Sequence, residues 1–197
     1  MKTKRLLFYL IIIFLVTAFY AGCKEKPKNE KPAAAQLTEE QMVQRGNYLV
    51  ATIGCGDCHS PKKMGPQGPE VIQELMLSGH PSDASLPPVD KNALKNGWIL
   101  FPPDLTAAVG PWGISYGANL TSDPSGIGSW PEENFIRAMK KGKYMGVEGG
   151  RELLPPMPWQ NFANGTDEDM KAIFAYLKTT KAVHNVVPLA VAPSDIK

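Results

Sequence analysis

Residues 55–59 read Cys-Gly-Asp-Cys-His, and no other feature narrows the possible folds of this 197-residue chain as much. Two thiols three positions apart, followed at once by an imidazole, act together only if the backbone holds them on one tight turn. What they can hold then depends on the other donors the chain supplies. Cysteine is scarce: Cys23 is the only one besides Cys55 and Cys58. Charge adds little, because 21 basic and 19 acidic side chains nearly balance and no basic stripe with interleaved aromatics stands out. Nucleic acid is therefore excluded as a partner.

Cys23 belongs to a different kind of signal. A cationic start, MKTKR, leads into the apolar run LLFYLIIIFLVTAFYA and then Gly22-Cys23. This is the layout of an export signal, with a hydrophobic stretch short for a membrane span. Ala21-Gly22-Cys23 resembles a bacterial lipoprotein cleavage box, in which the cysteine becomes the lipid-modified first residue. The alternative is an uncleaved signal anchor. Residues 1–22 are thus read as the signal peptide and 23–36 as a lipid-anchored flexible linker, since KEKPKNEKPAAAQ is charged, punctuated by proline and lacks aliphatic bulk. Cleavage removes Lys2, Lys4 and Arg5 and takes the formal charge from +2 to −1. The expected location is outside the cytoplasm, on a membrane facing the periplasm.

The domain is expected over residues 37–197. Thr38 and Gln41 form a capping box, Leu37 and Met42 a hydrophobic staple, and Glu39 and Glu40 suit the first turn. The helix they start places Met42, Gly46, Leu49 and Ile53 on related faces and stops at Gly54, so the motif follows a helix C-terminus. A second helix is expected over 69–79, between a proline and a glycine. A third is expected over 129–142, capped by Ser129 or Trp130, and a last over 166–180, capped by Thr166 with Met170, Ile173, Phe174 and Leu177 as its apolar stripe. Residues 80–128 show no regular pattern, and no strand pattern of useful length appears. Val186, Val187 and Leu189 are expected to strap the tail to the surface. The fold class is all-α, with long irregular loops.

That context sorts the readings of the motif. Structural zinc wants four ligands, while His80 and His184 stand alone and are expected to be exposed. A thioredoxin-like dithiol wants its thiols at a helix N-terminus after a strand. A plain disulfide suits an exported protein but leaves His59 without a purpose. Covalent attachment of one haem c uses all three residues: the thiols add across the vinyl groups, and the adjacent histidine points at the iron. Export supplies the compartment in which this attachment is made.

A six-coordinate iron needs another ligand, and a thioether sulfur is the usual partner of histidine there. Met64 is too near His59 to reach the far face of the ring. Met76, Met139 and Met170 lie on helical stripes and read as core. Met157 sits between prolines in LLPPMPWQNF, just before the last helix. Prolines pin the backbone, which suits a loop presenting a weakly bonding sulfur. Met157 is the expected ligand, with Met145, in a Gly-rich loop, as the alternative.

Five stretches carry a resemblance: RGNYLVATIGCGDCHS, ELMLSGHP, GANLTSDPSGIGSWPEENFIRAMKKG, PPMPWQNF and DEDMKAIFAYLK. Together they resemble the class I c-type cytochromes, as a single-haem member similar to the cytochrome subunits that accompany bacterial dehydrogenases. The resemblance implies a cytochrome c-like helical domain in which the first helix crosses the last, with Gly46 close to Ile173 and Tyr176. It also implies that Trp130 and Asn119 lie near the haem propionates, where bland alternatives are a core aromatic and a turn residue. The 97 residues between His59 and Met157 exceed the spacing of small family members, and the excess is expected to cover a haem edge or a partner surface.

The function this implies is membrane-tethered single-electron transfer, with no catalytic residue and no enzyme activity of its own. Redox partner proteins are implied, a dehydrogenase as donor and an oxidase or other acceptor. The alternatives are a haem subunit fixed in a respiratory or dehydrogenase complex, or a ligand-binding haem protein with an open sixth position.

Overall fold

The computed structural model describes residues 37–197. The expectations for the signal segment, Cys23 and the linker lie outside the described residues.

Helix α1, Glu39–Ile53, begins as its local signals dictate. The Gln41 amide donates to Thr38 Oγ1 at 3.2 Å and the Thr38 amide donates back to Gln41 Oε1 at 2.9 Å, so two orphan donors are satisfied reciprocally. It ends at Gly54, whose φ of 79° is a left-handed cap. The last helix, Asp167–Thr179, is likewise capped by Thr166, whose hydroxyl accepts from the Asp169 amide at 3.1 Å. Three acids in its first turn complement the helix dipole.

These two helices meet backbone to backbone. A Cβ on Gly46 would lie 1.9 Å from the Ala172 carbonyl oxygen and 2.7 Å from Tyr176 Cβ. Glycine is thus required by the approach, and the implied crossing near Tyr176 is what the structure shows. Arg45 Nε donates to Asp169 Oδ1 at 2.8 Å across the same contact. The core is a single cluster of Val50, Leu77, Ile127, Phe135, Met139, Met170, Ile173, Phe174 and Leu177. Phe135 comes from the helix Glu132–Lys141, and its ring meets that of Phe174 at 5.2 Å. Burying such side chains stabilises the unit by about 1.5–3 kcal/mol each.

Several expectations need correction. No helix spans 69–79. Strand β1, Lys62–Gly65, turns at Pro66-Gln67 into β2, Gly68–Val71, and the two pair antiparallel with Gly65 opposite Gly68. A 3-10 turn at Gln73–Leu75 follows, and the next amides serve other partners: Leu77 N–H donates to Ser60 Oγ at 3.0 Å and Gly79 N–H to the His59 carbonyl at 2.8 Å. An α-helix would have kept those donors for itself. Residues 80–128 are also more regular than expected. A short helix spans Lys91–Lys95, and β3, Ala107–Gly110, pairs with β4, Gly113–Tyr116. Neither Ser129 nor Trp130 caps the helix that follows; Pro131 occupies the cap without a side-chain hydrogen bond.

Within α1, Gly46 and Val50 are the buried positions and Ile53 is exposed. The tail is strapped down only in part by the expected residues, of which Val187 alone is half-buried. Val186 and Leu189 are 63% and 78% exposed. Asn185 instead donates to the Ser78 and His80 carbonyls at 2.7 and 2.9 Å, and Val191 bridges to Ile114 of β4.

Candidate haem site

Cys55–His59 is a five-residue helix of its own, separated from α1 only by Gly54. Helical spacing puts Cys55, Cys58 and His59 on one side, since positions three and four apart are neighbours. Three braces hold this turn. Lys62 Nζ donates to the carbonyls of Asp57 at 2.6 Å, Ser60 at 3.1 Å and Asp104 at 2.8 Å, a cation where the helix dipole favours one. Ser60 is fully buried and its hydroxyl accepts from Leu77. Gly117 packs so closely that a Cβ there would stand 2.1 Å from the Cys58 carbonyl oxygen.

His59 is fixed from behind. Its Nδ1 lies 2.7 Å from the Ala118 carbonyl oxygen, which can only accept, so Nδ1 carries the proton and Nε2 presents a bare lone pair. This is how a metal-ligating imidazole is usually oriented. Burial pushes the imidazole pKa down, outweighing the opposing pull of the Ala118 carbonyl, so the ring stays neutral. The two sulfurs are not joined to each other. Burial pushes the Cys55 thiol up to about 11, with the Asp57 carboxylate adding to the shift. Cys58 moves the same way, first through burial and then through Asp57, against the pull of Lys62. Raised thiols are the opposite of what a redox-active dithiol needs. Among the described residues, no three His, Cys, Asp or Glu side chains converge on one ion-sized point, which separates the motif from a zinc cage.

Met157 is half-buried and packs against the core cluster, as do Cys55, Leu120, Trp130, Ile136 and Phe162. Its loop is held at both ends: the Met157 amide donates to the Leu154 carbonyl at 3.3 Å, and its own carbonyl accepts from Trp159 at 2.9 Å. The Pro155–Pro156 bond within it is cis. Met139 and Met170 are buried in the core, as expected, but Met76 is 42% exposed and Met145 lies exposed in a 3-10 turn.

The remaining site residues divide. Trp130 flanks the core, and among the described residues its indole N–H donates to no protein acceptor. Asn119 is buried with both polar side-chain atoms engaged by protein. Its Nδ2 donates to the Val183 carbonyl at 2.9 Å, Ser125 Oγ at 3.2 Å and the Asn185 carbonyl at 3.3 Å, while Oδ1 accepts from Thr121. Its work is to tie the 119–127 loop to the tail, and its amide protons are spent there. His184 is exposed, as expected, but His80 is buried at 2% exposure. Thr106 Oγ1 donates to Asp104 Oδ2 at 2.8 Å, so His80 Nδ1–H donates to Thr106 Oγ1 at 2.7 Å. Ala118 was not legible as a neighbour of the motif, because its carbonyl reaches His59 across 59 positions of sequence. Ser60 and Lys62 adjoin the motif, but their bonds to Leu77 and to the Asp104 carbonyl were not legible for the same reason.

The chain has relatives among cytochrome subunits. It is 30% identical over 166 residues to the gluconate 2-dehydrogenase cytochrome c subunit of Pantoea cypripedii, covering 82% of this chain and 28% of that protein. Over 159 residues it is 28% identical to the cytochrome c subunit of the quinone alcohol dehydrogenase of Gluconobacter oxydans, covering 80% of this chain and 24% of the relative. The fructose dehydrogenase cytochrome subunit of Gluconobacter japonicus is 26% identical over 157 residues, 79% of this chain and 24% of that one. The chain therefore spans 28% or less of the length of each of these relatives. The cytochrome c family profile matches residues 43–181, which include the braced Cys-Gly-Asp-Cys-His turn, Met157, most of the first crossing helix and all of the last: the chain belongs to the cytochrome c family.

Proposed function

We propose that the chain carries single electrons through one haem c with His59 and Met157 as the axial pair, on a lipid tether at Cys23 outside the cytoplasm. A cytochrome c domain implies a covalently bound haem c, and the residues present fit one. Cys55 and Cys58 are unjoined thiols on one side of a short helix and would hold the group through thioether bonds. His59 keeps Nε2 free while Nδ1 is committed to Ala118. Half-buried Met157, Trp130, Leu120 and Ile136 pack against the same core cluster as Cys55, apolar side chains that a flat macrocycle would cover.

When bound, the haem iron supplies a one-electron ferric–ferrous couple. The chain's own residues orient and shield it. Ala118 fixes the imidazole plane and tautomer, and Lys62 holds the turn carrying both thiols. Trp130 supports the reading of a propionate partner, since among the described residues its N–H has no protein acceptor, whereas Asn119 has its amide protons engaged elsewhere. The observation that carries the proposal is the His59–Ala118 hydrogen bond behind a braced Cys-x-x-Cys-His turn.

The relatives' names favour a dehydrogenase as electron donor; an oxidase or other acceptor downstream completes the proposal. They also favour a second reading, a cytochrome subunit docked permanently in such a complex. Co-purification with a larger subunit through detergent supports the second; a lone domain with one reversible redox step supports the free carrier.

The test is Met157→Ala, expressed with haem-attachment machinery beside the parent. The parent should gain the mass of one haem and bind no carbon monoxide when reduced. The variant should bind it stoichiometrically and show a lower potential. A variant with the parent's spectrum and potential refutes Met157 as ligand, and a parent that binds carbon monoxide supports the open-position alternative.

A further inference from the structure

The stretch Ser115-Tyr116-Gly117-Ala118, where β4 runs out, touches the supports of both proposed ligands. At one end, the Ala118 carbonyl accepts from His59 Nδ1 at 2.7 Å. At the other, Ser115 Oγ donates to the Pro155 carbonyl at 2.6 Å, two residues before Met157. Ser115 is buried at 9% exposure. Its hydroxyl oxygen accepts from Trp112 Nε1 at 3.2 Å, and the Ala108 carbonyl at 3.5 Å is a distant second acceptor.

This stretch cannot drift freely. Ser115 pairs with Ala108 across the hairpin, and Ile114 bridges to Val191 on the other side. Gly117 N–H donates to the Thr106 carbonyl at 2.8 Å, the His80 N–H donates to the Gly117 carbonyl at 2.9 Å, and Gly117 abuts Cys58. Three residues of extended chain reach only about 10 Å, so the separation of its two ends is narrowly set.

We propose that residues 115–118 form a bracket fixing the two axial-ligand loops relative to each other, with Ser115 as a positioning residue for Met157. The inserted hairpin β3–β4 then has a defined task. It brings one hydroxyl to the loop that presents the sulfur, so thermal opening of that loop must break the Ser115–Pro155 bond. The inference rests on Met157 as the axial ligand.

The experiment titrates the ferric holoprotein with imidazole, which competes for the position of a weakly bound sulfur. The weak red absorption of sulfur-ligated ferric iron is followed in parallel. Ser115→Ala should bind imidazole about fivefold more tightly, the equivalent of one lost buried hydrogen bond. Ser115→Thr and Ser115→Val are nearly isosteric and differ in the hydroxyl, which separates the bond from packing. Thr should stay within about twofold of the parent and Val should follow Ala.

Equal imidazole affinity in the Thr and Val variants overturns the bracket. Should Met157→Ala itself bind imidazole no better than the parent, the ligand assignment fails and the bracket falls with it. Where Met157→Ala opens the site but the Ser115 series is flat, only the bracket is refuted. Thermal midpoints of all variants are measured too: a merely structural role would lower them without changing imidazole affinity at 25 °C.

Discussion

Replacing Gly46 with alanine puts two opposed effects in competition, and the structure says which should win. Alanine in a helix interior is favoured over glycine by about 1 kcal/mol. At Gly46 the added methyl carbon would sit 1.9 Å from the Ala172 carbonyl oxygen and 2.6 Å from its carbon, both main-chain atoms of the last helix. Ordinary contact begins near 3.4 Å, so the helices must separate by roughly 1.5 Å at this point. No side-chain rotation can relieve a clash with backbone. Separation would also loosen Val50, Ile173 and Leu177, which the two helices contribute to the shared core cluster. Overpacking of this kind costs about 1–3 kcal/mol, more here because the obstacle is rigid. The net expectation for Gly46→Ala is a destabilisation of about 1–2 kcal/mol, or a fall of roughly 2–8 °C in the thermal midpoint for a domain this size. Guanidinium denaturation of the holoprotein, followed by far-ultraviolet circular dichroism, measures it. A variant as stable as the parent, or more stable, refutes the argument that backbone approach fixes this position as glycine.

Two pH predictions follow from buried and paired groups. His80 is enclosed, and burial lowers its pKa below 6.5 despite the nearby Asp104 carboxylate. The unfolded chain then binds a proton that the folded chain refuses, so His80's contribution is present above about pH 6.5 and lost as pH falls below it. The denaturation midpoint should decline over that interval, and His80→Phe, which keeps a ring against Tyr116, should flatten the decline; an unchanged slope counts against a neutral buried His80. Asp169 behaves in the opposite chemical sense. Burial raises its pKa, but hydrogen bonds from Arg45 and Thr166 outweigh burial and lower it. Its stabilisation is present above the unfolded carboxylate range near pH 4 and lost as pH falls through the lower folded value. Asp169→Asn should cost about 0.5–1 kcal/mol at pH 7, as for a partly exposed pair, and lose that deficit in acid; a deficit that persists at pH 2 argues against the ion pair as its cause.

What could be read from the sequence is what short-range chemistry decides. The Thr38 and Thr166 caps, the left-handed stop at Gly54 and the motif after it all depend on residues within four positions of one another. The hairpins escaped because their signals are not periodic. All four residues of β3 are buried, so no inside–outside alternation betrays a strand. The Gly65-Pro66-Gln67-Gly68 turn was a legible break just before the segment expected to be a helix. His80 looked like a surface residue because its partners Thr106 and Asn185 lie 26 and 105 positions away. The ligand candidates were legible as residue types, while their supports were not, since Ala118 and the Lys62 acceptors are main-chain carbonyls.

That asymmetry has a physical reading for the long insertion. The loops that carry the two proposed ligands must be held by something, and side-chain identity at those positions does not say by what. Here the holding groups are carbonyls and one hydroxyl drawn from 104–118, presented by a hairpin whose edges are pinned to residue 100 on one side and residue 191 on the other. Backbone carbonyls cannot be deleted by mutation, so such a support tolerates sequence change at Ala118 while fixing geometry. Ser115, Lys62 and Ser60 are places where the support passes through a side chain. Changes there should therefore alter how His59 and the proposed ligand Met157 are held, whereas changes at Ala118 that keep its main chain in place should not.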